Sequence, residues 1–171
     1  MKIYSFEPIY DKDSRVLILG SMASVKSLEM GFYYMHPRNR FWNTIAQVVG
    51  SPVPDDIAGK RQWLLDNNIA LMDIIYSCKR KGSLDSDITD IVPNDIEQVL
   101  NIADIKGIFC NGRKSYDTAK KAYPHLTFNY LPSTSPANAG AWDIKPWLSI
   151  KDRLDIVGEK SGRRKWENKP K

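Results

Sequence analysis

Between Tyr33 and Trp42 the chain reads YYMHPRNRFW: two tyrosines, a proline, two arginines, an asparagine and a Phe-Trp pair. Flat rings stack and guanidinium groups bind anions, so one short segment offers both to a single ligand. Two other segments and a few polar side chains supply complementary chemistry. GSMAS (20–24) is a turn of small residues with exposed backbone N–H groups, able to hold an anion or a developing negative charge. LPSTSPANAG (131–140) is stiffened by two prolines and carries hydroxyls and amides suited to phosphate oxygens. Asn39, Asp73, Asn111 and Asn138 add hydrogen-bonding side chains. That inventory fits recognition of a base edge and stabilisation of a leaving anion. A plain polar turn is the alternative for either loop taken alone.

Several other chemistries are excluded. No Gly-Lys-Ser/Thr follows Gly20, so the first loop is not a nucleotide-hydrolase phosphate loop, and there is no dinucleotide fingerprint. His36 and His125 are the only histidines, and neither a Ser-His-Asp set nor a nucleophile elbow is present. Two cysteines, Cys78 and Cys110, make neither a disulfide framework nor an all-cysteine metal site. No metal or cofactor is called for.

These segments need a scaffold, and its pattern is legible. Four short apolar runs, RVLILGS (15–21), IALMDII (69–75), IKGIFCNG (105–112) and LTFNYLPS (126–133), alternate with helix-like segments. The helical ones are RFWNTIAQVV, DDIAGKRQWLLDNN, NDIEQVLNIA, RKSYDTAKKAY and a closing AWDIKPWLSIKDRLDIV, with Pro146 near its first turn. Buried strands alternating with amphipathic helices predict an α/β fold with a parallel sheet covered on both faces. Ligands of such folds sit at the carboxyl ends of the strands, where the segments above lie. Phe41 and Trp42 belong to the core, in line with Ile45, Val48 and Val49 at helical spacing.

The chain has 171 residues, 42% hydrophobic and 26% charged, which suits one domain, placed at 1–157. Its net charge of +5 is uneven. The tail, 158–171, holds six Lys/Arg against two Glu, whereas the remainder is nearly neutral. Such a tail is either a solvated, flexible terminus or a source of sequence-independent affinity for phosphate backbones. No apolar run has the length of a membrane span and the start lacks a signal-peptide core, so a cytoplasmic monomer with no obligate protein partner is expected.

Taken together, the segments resemble the uracil-DNA glycosylase superfamily. ILGSMASVKSLEMGFYYMHPRNRFW is similar to the mismatch-specific uracil/thymine glycosylase pattern of Gly-x-Asn-Pro-Gly followed by aromatic-Ala-His-Pro-x-Asn-Arg-Phe-Trp, and STSPAN (133–138) resembles the second superfamily motif. Met22 stands where relatives place an Asp or Asn that positions water. That departure, with SCKRKGSLDSDI (77–88), resembles the hypoxanthine-DNA (deoxyinosine) glycosylase branch. The resemblance implies a three-layer α/β/α fold with a short central four-stranded parallel sheet. It implies a monofunctional, cofactor-free enzyme of base excision repair acting on DNA that contains a deaminated base. A uracil/thymine mismatch glycosylase and a non-catalytic DNA-binding relative are the alternatives.

By the same resemblance Asn39 orients the attacking water. Ser21 and Ser135 join it as catalytic candidates through the amides of Gly20–Ser24 and Ser133–Ser135, each worth ~3 kcal/mol to a developing anion when preorganised. Gly20, Met22, Tyr34, Asp73 and Asn111 would hold the base: Tyr34 stacks on it and an ionised Asp73 accepts its ring N–H. Ser24, Arg38, Arg40, Arg80, Ser133, Thr134, Ala137 and Asn138 would meet DNA, with Asp85 orienting Arg80. Relatives push a bulky side chain into the vacated stack. Ala137 at that position is too small, so Asn138 or a neighbour would have to serve.

Overall fold

The computed structural model describes residues 2–157, so the basic tail expected at 158–171 lies outside it. Four strands, β2 (Val16–Gly20), β3 (Ile69–Asp73), β6 (Gly107–Asn111) and β7 (Asn129–Leu131), form a parallel sheet in the order β3-β2-β6-β7. Each lies within one of the four apolar runs. Successive side chains of a strand point to opposite faces, and two cores result. Val16, Ile18, Ile69, Leu71 and Phe109 enter one cluster, while Leu17, Leu19, Ala70, Met72, Ile108 and Cys110 enter the other.

The first face is covered by α2 (Phe41–Val49), α3 (Ile57–Asp66), α6 (Lys145–Leu148) and α7 (Ile150–Val157), which contribute Phe41, Ile45, Val48, Trp63, Leu64, Trp147 and Ile150. The second carries α4 (Glu97–Leu100) and α5 (Arg113–Ala122), with Val99 and Ala119 inward. Cys78 and Cys110 lie on this side as free, buried thiols, and burial pushes Cys110 up to about 12.

A second sheet was not foreseen. β1 (Lys2–Tyr4), β4 (Ile75–Lys79) and β5 (Thr89–Pro93) pair antiparallel in the order β1-β4-β5. The run IALMDII, one strand by its composition, divides at Ile74, whose N–H donates to the Gly20 carbonyl and whose carbonyl accepts from Asn94 N–H. The chain then leaves the parallel sheet as β4, adding Ile75 and Cys78 to the second core. β5 is almost wholly exposed and lacks an apolar face that could have marked it. The helices also differ from expectation. NDIEQVLNIA holds only the four residues of α4, and a short α1 (Val25–Met30) follows the first loop, capped by Ser24 and closed by Gly31 at φ 78°. The closing segment, preceded by a 3-10 turn (Pro136–Ala141), is broken into α6 and α7, with Pro146 in the first turn of α6 as expected.

Trp147 is fully buried, and its indole N–H donates to the Pro132 carbonyl at 2.8 Å, pinning the chain just beyond β7. Trp147→Phe keeps most of the packing but leaves that carbonyl unpaired. Urea unfolding should show a loss of about 1–3 kcal/mol, and an unchanged midpoint would mean that the bond contributes nothing.

Candidate functional site

The sheet ends in a cleft of about 80 Å³ whose floor is three strand termini: Gly20, Asp73 and Asn111. Gly20 and Asp73 are partners in the β2–β3 register. A Cβ at Gly20 would come within 2.5 Å of Asp73 Oδ1 and 2.6 Å of the Tyr34 hydroxyl, so only glycine leaves room for both groups. Tyr34 lies in the left-handed region at φ 56°, uncommon for a bulky residue and costly to hold. Its ring stacks on Phe41 at 4.1 Å and 20°. The Tyr34 hydroxyl and Asp73 Oδ2 are both buried and neither has a hydrogen-bond partner among the described residues.

The two loops at the rim differ in one respect that matters for chemistry. In the first, Ser21, Met22, Ala23 and Ser24 line the cleft, and their N–H groups donate no hydrogen bond to any described residue. In the second, the Thr134 N–H donates to Asn111 Oδ1 at 3.0 Å and the Ser135 N–H to Ser133 Oγ at 3.1 Å. Asn111 also donates to Thr134 Oγ1 at 3.0 Å, so its carboxamide is engaged at both ends in fastening this loop. Asn138 donates to the Ser133 carbonyl at 3.0 Å, and Ser135 Oγ accepts from the Ala137 N–H at 3.2 Å. The Thr134 and Ser135 amides of the second loop are thus occupied, whereas Ser133 and the run Ser21–Ser24 keep amides with no partner among the described residues.

Asn39 lies at the mouth, its side-chain oxygen accepting the Phe41 N–H at 2.9 Å as α2 begins. Arg40 donates to the Ser135 carbonyl at 3.3 Å, has its guanidinium over Trp142, and receives a backbone link to Thr134. Arg38 is exposed.

The segment after β4 closes the other side. Ser21 Oγ donates to Asp85 Oδ1 at 2.9 Å and Ser83 Oγ accepts the Val25 N–H at 2.9 Å. Arg80 is 7% exposed, and its Nη2 donates to the Ala23 carbonyl at 2.6 Å. Burial pushes the Asp73 carboxyl up to about 7; the negative charge of Asp85 adds to the rise and Arg80 opposes it. Asp85 is itself raised by loss of water around the carboxyl it turns to the cleft, against the pull of Ser21, Arg80 and Lys114. Burial raises the Tyr34 phenol and lowers the Arg80 guanidinium.

The cleft thus brings together Gly20, Ser21, Met22, Ser24, Tyr34, Asn39, Asp73, Asn111, Ser133, Thr134 and Ser135. Arg40 and Asn138 brace the second loop behind them, and Ala137 is exposed on the 3-10 turn. Three expectations need correction. Arg80 does not face an open surface: it is buried and holds the first loop from behind. Asp85 takes Ser21, not Arg80, as its hydrogen-bond partner. The amides of Thr134 and Ser135 are occupied, by Asn111 at the end of β6 and by Ser133 Oγ, and are not free for a leaving anion. Sequence reasoning also missed Ser27, Tyr33 and Ser83 in the lining. Their types are ordinary, and only the approach of distant segments places them here.

The folded Asp73 titrates well above its value of ~3.9 in an unfolded chain. Its stability contribution is therefore fully present below about pH 4 and is lost as pH rises through about 7. Asp73→Asn removes this loss. Urea unfolding should show the variant gaining on wild type by about 3 kcal/mol between roughly pH 5 and pH 8, and parallel pH profiles would show that Asp73 is ionised throughout.

A family model described as the uracil DNA glycosylase superfamily matches residues 7–155. A protein of Methanosarcina barkeri (strain Fusaro / DSM 804) named hypoxanthine DNA glycosylase is 32% identical over 142 residues, covering 81% of this chain and 89% of the relative. A namesake from Methanosarcina acetivorans is 33% identical over 137 residues, covering 78% and 86%. The solution NMR structure of a protein described as a candidate uracil DNA glycosylase, also from Methanosarcina acetivorans, superposes with a TM-score of 0.77 at 29% identity. It covers 91% of this chain and 99% of that one. With the sheet order, the strand-end cleft and these matches in agreement, the chain belongs to the uracil DNA glycosylase superfamily.

Proposed function

We propose that the protein is a monofunctional DNA glycosylase that extrudes a deaminated base, hypoxanthine, from DNA and hydrolyses its bond to the sugar. The observation that carries this reading is the strand-end cleft, where the open amides of Ser21–Ser24, the Asn39 carboxamide and an unpaired carboxyl at Asp73 converge. The relatives named hypoxanthine DNA glycosylase support the choice of base.

A base inside a duplex cannot be reached, so the enzyme must take it out of the stack and read its pairing edge. Tyr34, fixed against Phe41, supplies a flat platform beside Asp73. Cleavage leaves the electron pair on the purine and positive charge on the sugar. The first-loop amides stabilise the purine's negative charge without reorganising. Water then adds at C1′ and loses a proton to solvent. Asn39 orients that water from the mouth of the cleft, held in place by its bond to the start of α2. An amide is a poor general base, but an oxocarbenium-like sugar is reactive enough not to need a strong one. Among the described residues no lysine lines the cleft, in keeping with hydrolysis that stops at the abasic site. Arg38, exposed beside Asn39, and the half-buried hydroxyls of Ser133 and Ser135 would meet backbone phosphates, while the Thr134 hydroxyl is buried against Asn111.

The deciding experiment is single-turnover base release from duplexes carrying one hypoxanthine or one uracil, with alkali to cut abasic sites. Hypoxanthine should be released in preference to uracil, and Asn39→Ala should slow release about a hundredfold with little change in duplex affinity. Release of uracil alone would make the protein a uracil glycosylase, and tight binding with no release would make it a DNA-binding relative.

A further inference from the structure

We propose that Asp73 meets the extruded base as a neutral carboxylic acid, its O–H donating to the exocyclic oxygen of hypoxanthine while its other oxygen accepts the adjacent ring N–H. This rests on the hypoxanthine reading above and adds the protonation state that makes the recognition possible.

The geometry points to this state. Asp73 is 3% exposed, its Oδ1 lies against Gly20, and its Oδ2 has no partner among the described residues. Among the described residues no cation forms an ion pair with it. The nearby guanidinium of Arg80 spends Nη2 on the Ala23 carbonyl and leaves Nε and Nη1 unpartnered. The other ionisable groups that act on Asp73 or feel its charge are Asp85, Tyr33, Tyr34 and Cys78. One is a carboxylate of like charge, and the other three are neutral in their ordinary forms. A carboxylate with neither donor nor cation is costly to bury, and taking up a proton removes most of that cost. The raised pKa agrees with this environment.

The chemistry of the base demands the same form. The edge of hypoxanthine presents an acceptor, O6, beside a donor, N1–H. An ionised carboxylate offers acceptors only, so it would satisfy the N–H and repel the oxygen. A carboxylic acid carries one donor and one acceptor on adjacent oxygens and matches both positions at once. The contact also strengthens during reaction. As the C1′–N9 bond breaks, its electron pair enters the purine, negative charge grows on O6, and a donor there is worth most in the transition state. Asp73 keeps its proton throughout, and the purine takes its own from solvent. Asp85 becomes a positioning residue for this state: held by Ser21, its negative charge adds to the effect of burial on Asp73.

The test is single-turnover release from the hypoxanthine duplex between about pH 5.5 and pH 8 for wild type, Asp73→Asn and Asp85→Asn, beside a carbon-13 titration of the Asp73 carboxyl without DNA. Asp73→Asn supplies a neutral donor and acceptor at every pH, so the ratio of wild type to this variant cancels any titration of the substrate. The ratio should fall toward a tenfold loss per pH unit above about 7, and Asp85→Asn should move that fall to lower pH. A flat or rising ratio overturns the proposal. So does a carboxyl that titrates in the ordinary aspartate range, whichever base is released. Failure of the hypoxanthine reading looks different: wild type releases no hypoxanthine at any pH, and the proposed contact falls with it even if the carboxyl titrates near 7.

Discussion

Asn111 and Thr134 exchange two hydrogen bonds at the end of β6, both near 3.0 Å and both buried. The site depends on this exchange, because the sheet is only four strands wide and the loop after β7 has no regular structure before its 3-10 turn. Fixing Thr134 fixes its carbonyl, which accepts the Arg40 N–H; that places the start of α2, and with it Phe41 beneath Tyr34. One carboxamide thus sets the distance between the Tyr34–Phe41 stack and the second loop. A buried, fully satisfied polar contact of this kind specifies one arrangement in a way that apolar packing alone does not.

Four buried polar atoms that lack a partner among the described residues lie at or behind the cleft: the Tyr34 hydroxyl, Asp73 Oδ2 and two nitrogens of Arg80; Tyr34 also holds a left-handed backbone. Such groups are rare in a folded interior and concentrate at functional sites, where surrounding structure holds them in place. Here the surrounding structure is the pair of cores on the two faces of the parallel sheet. The second sheet adds the clamp from Arg80 to Asp87, which grips the first loop at Ser21, Ala23 and Val25.

The parallel sheet was legible in the sequence because each of its strands lies within an apolar run bounded by turn residues, and burial on both faces leaves that mark. The strand-end loops were legible for the same reason. β5 was not, since a strand that exposes nearly every side chain carries no alternation to read. The division at Ile74 was hidden inside a continuous run, and only the bonds to Gly20 and Asn94 reveal it. Arg80 was misread for a general reason: a charged residue in a polar stretch looks solvated until a distant segment covers it. The resemblance placed Tyr34, Asn39 and Asp73 at one site. It could not disclose the upward pull on the Asp73 carboxyl, which comes first from burial and then from the charge of Asp85.

Both sulfur atoms of the cysteines sit inside the second core, and the Cys110 thiol is held far from ionisation. Nitrosating agents that turn adenine into hypoxanthine also attack thiols, and they do so where thiolate is present and accessible. The packing of this chain therefore shields its two thiols from the agents that create the lesion.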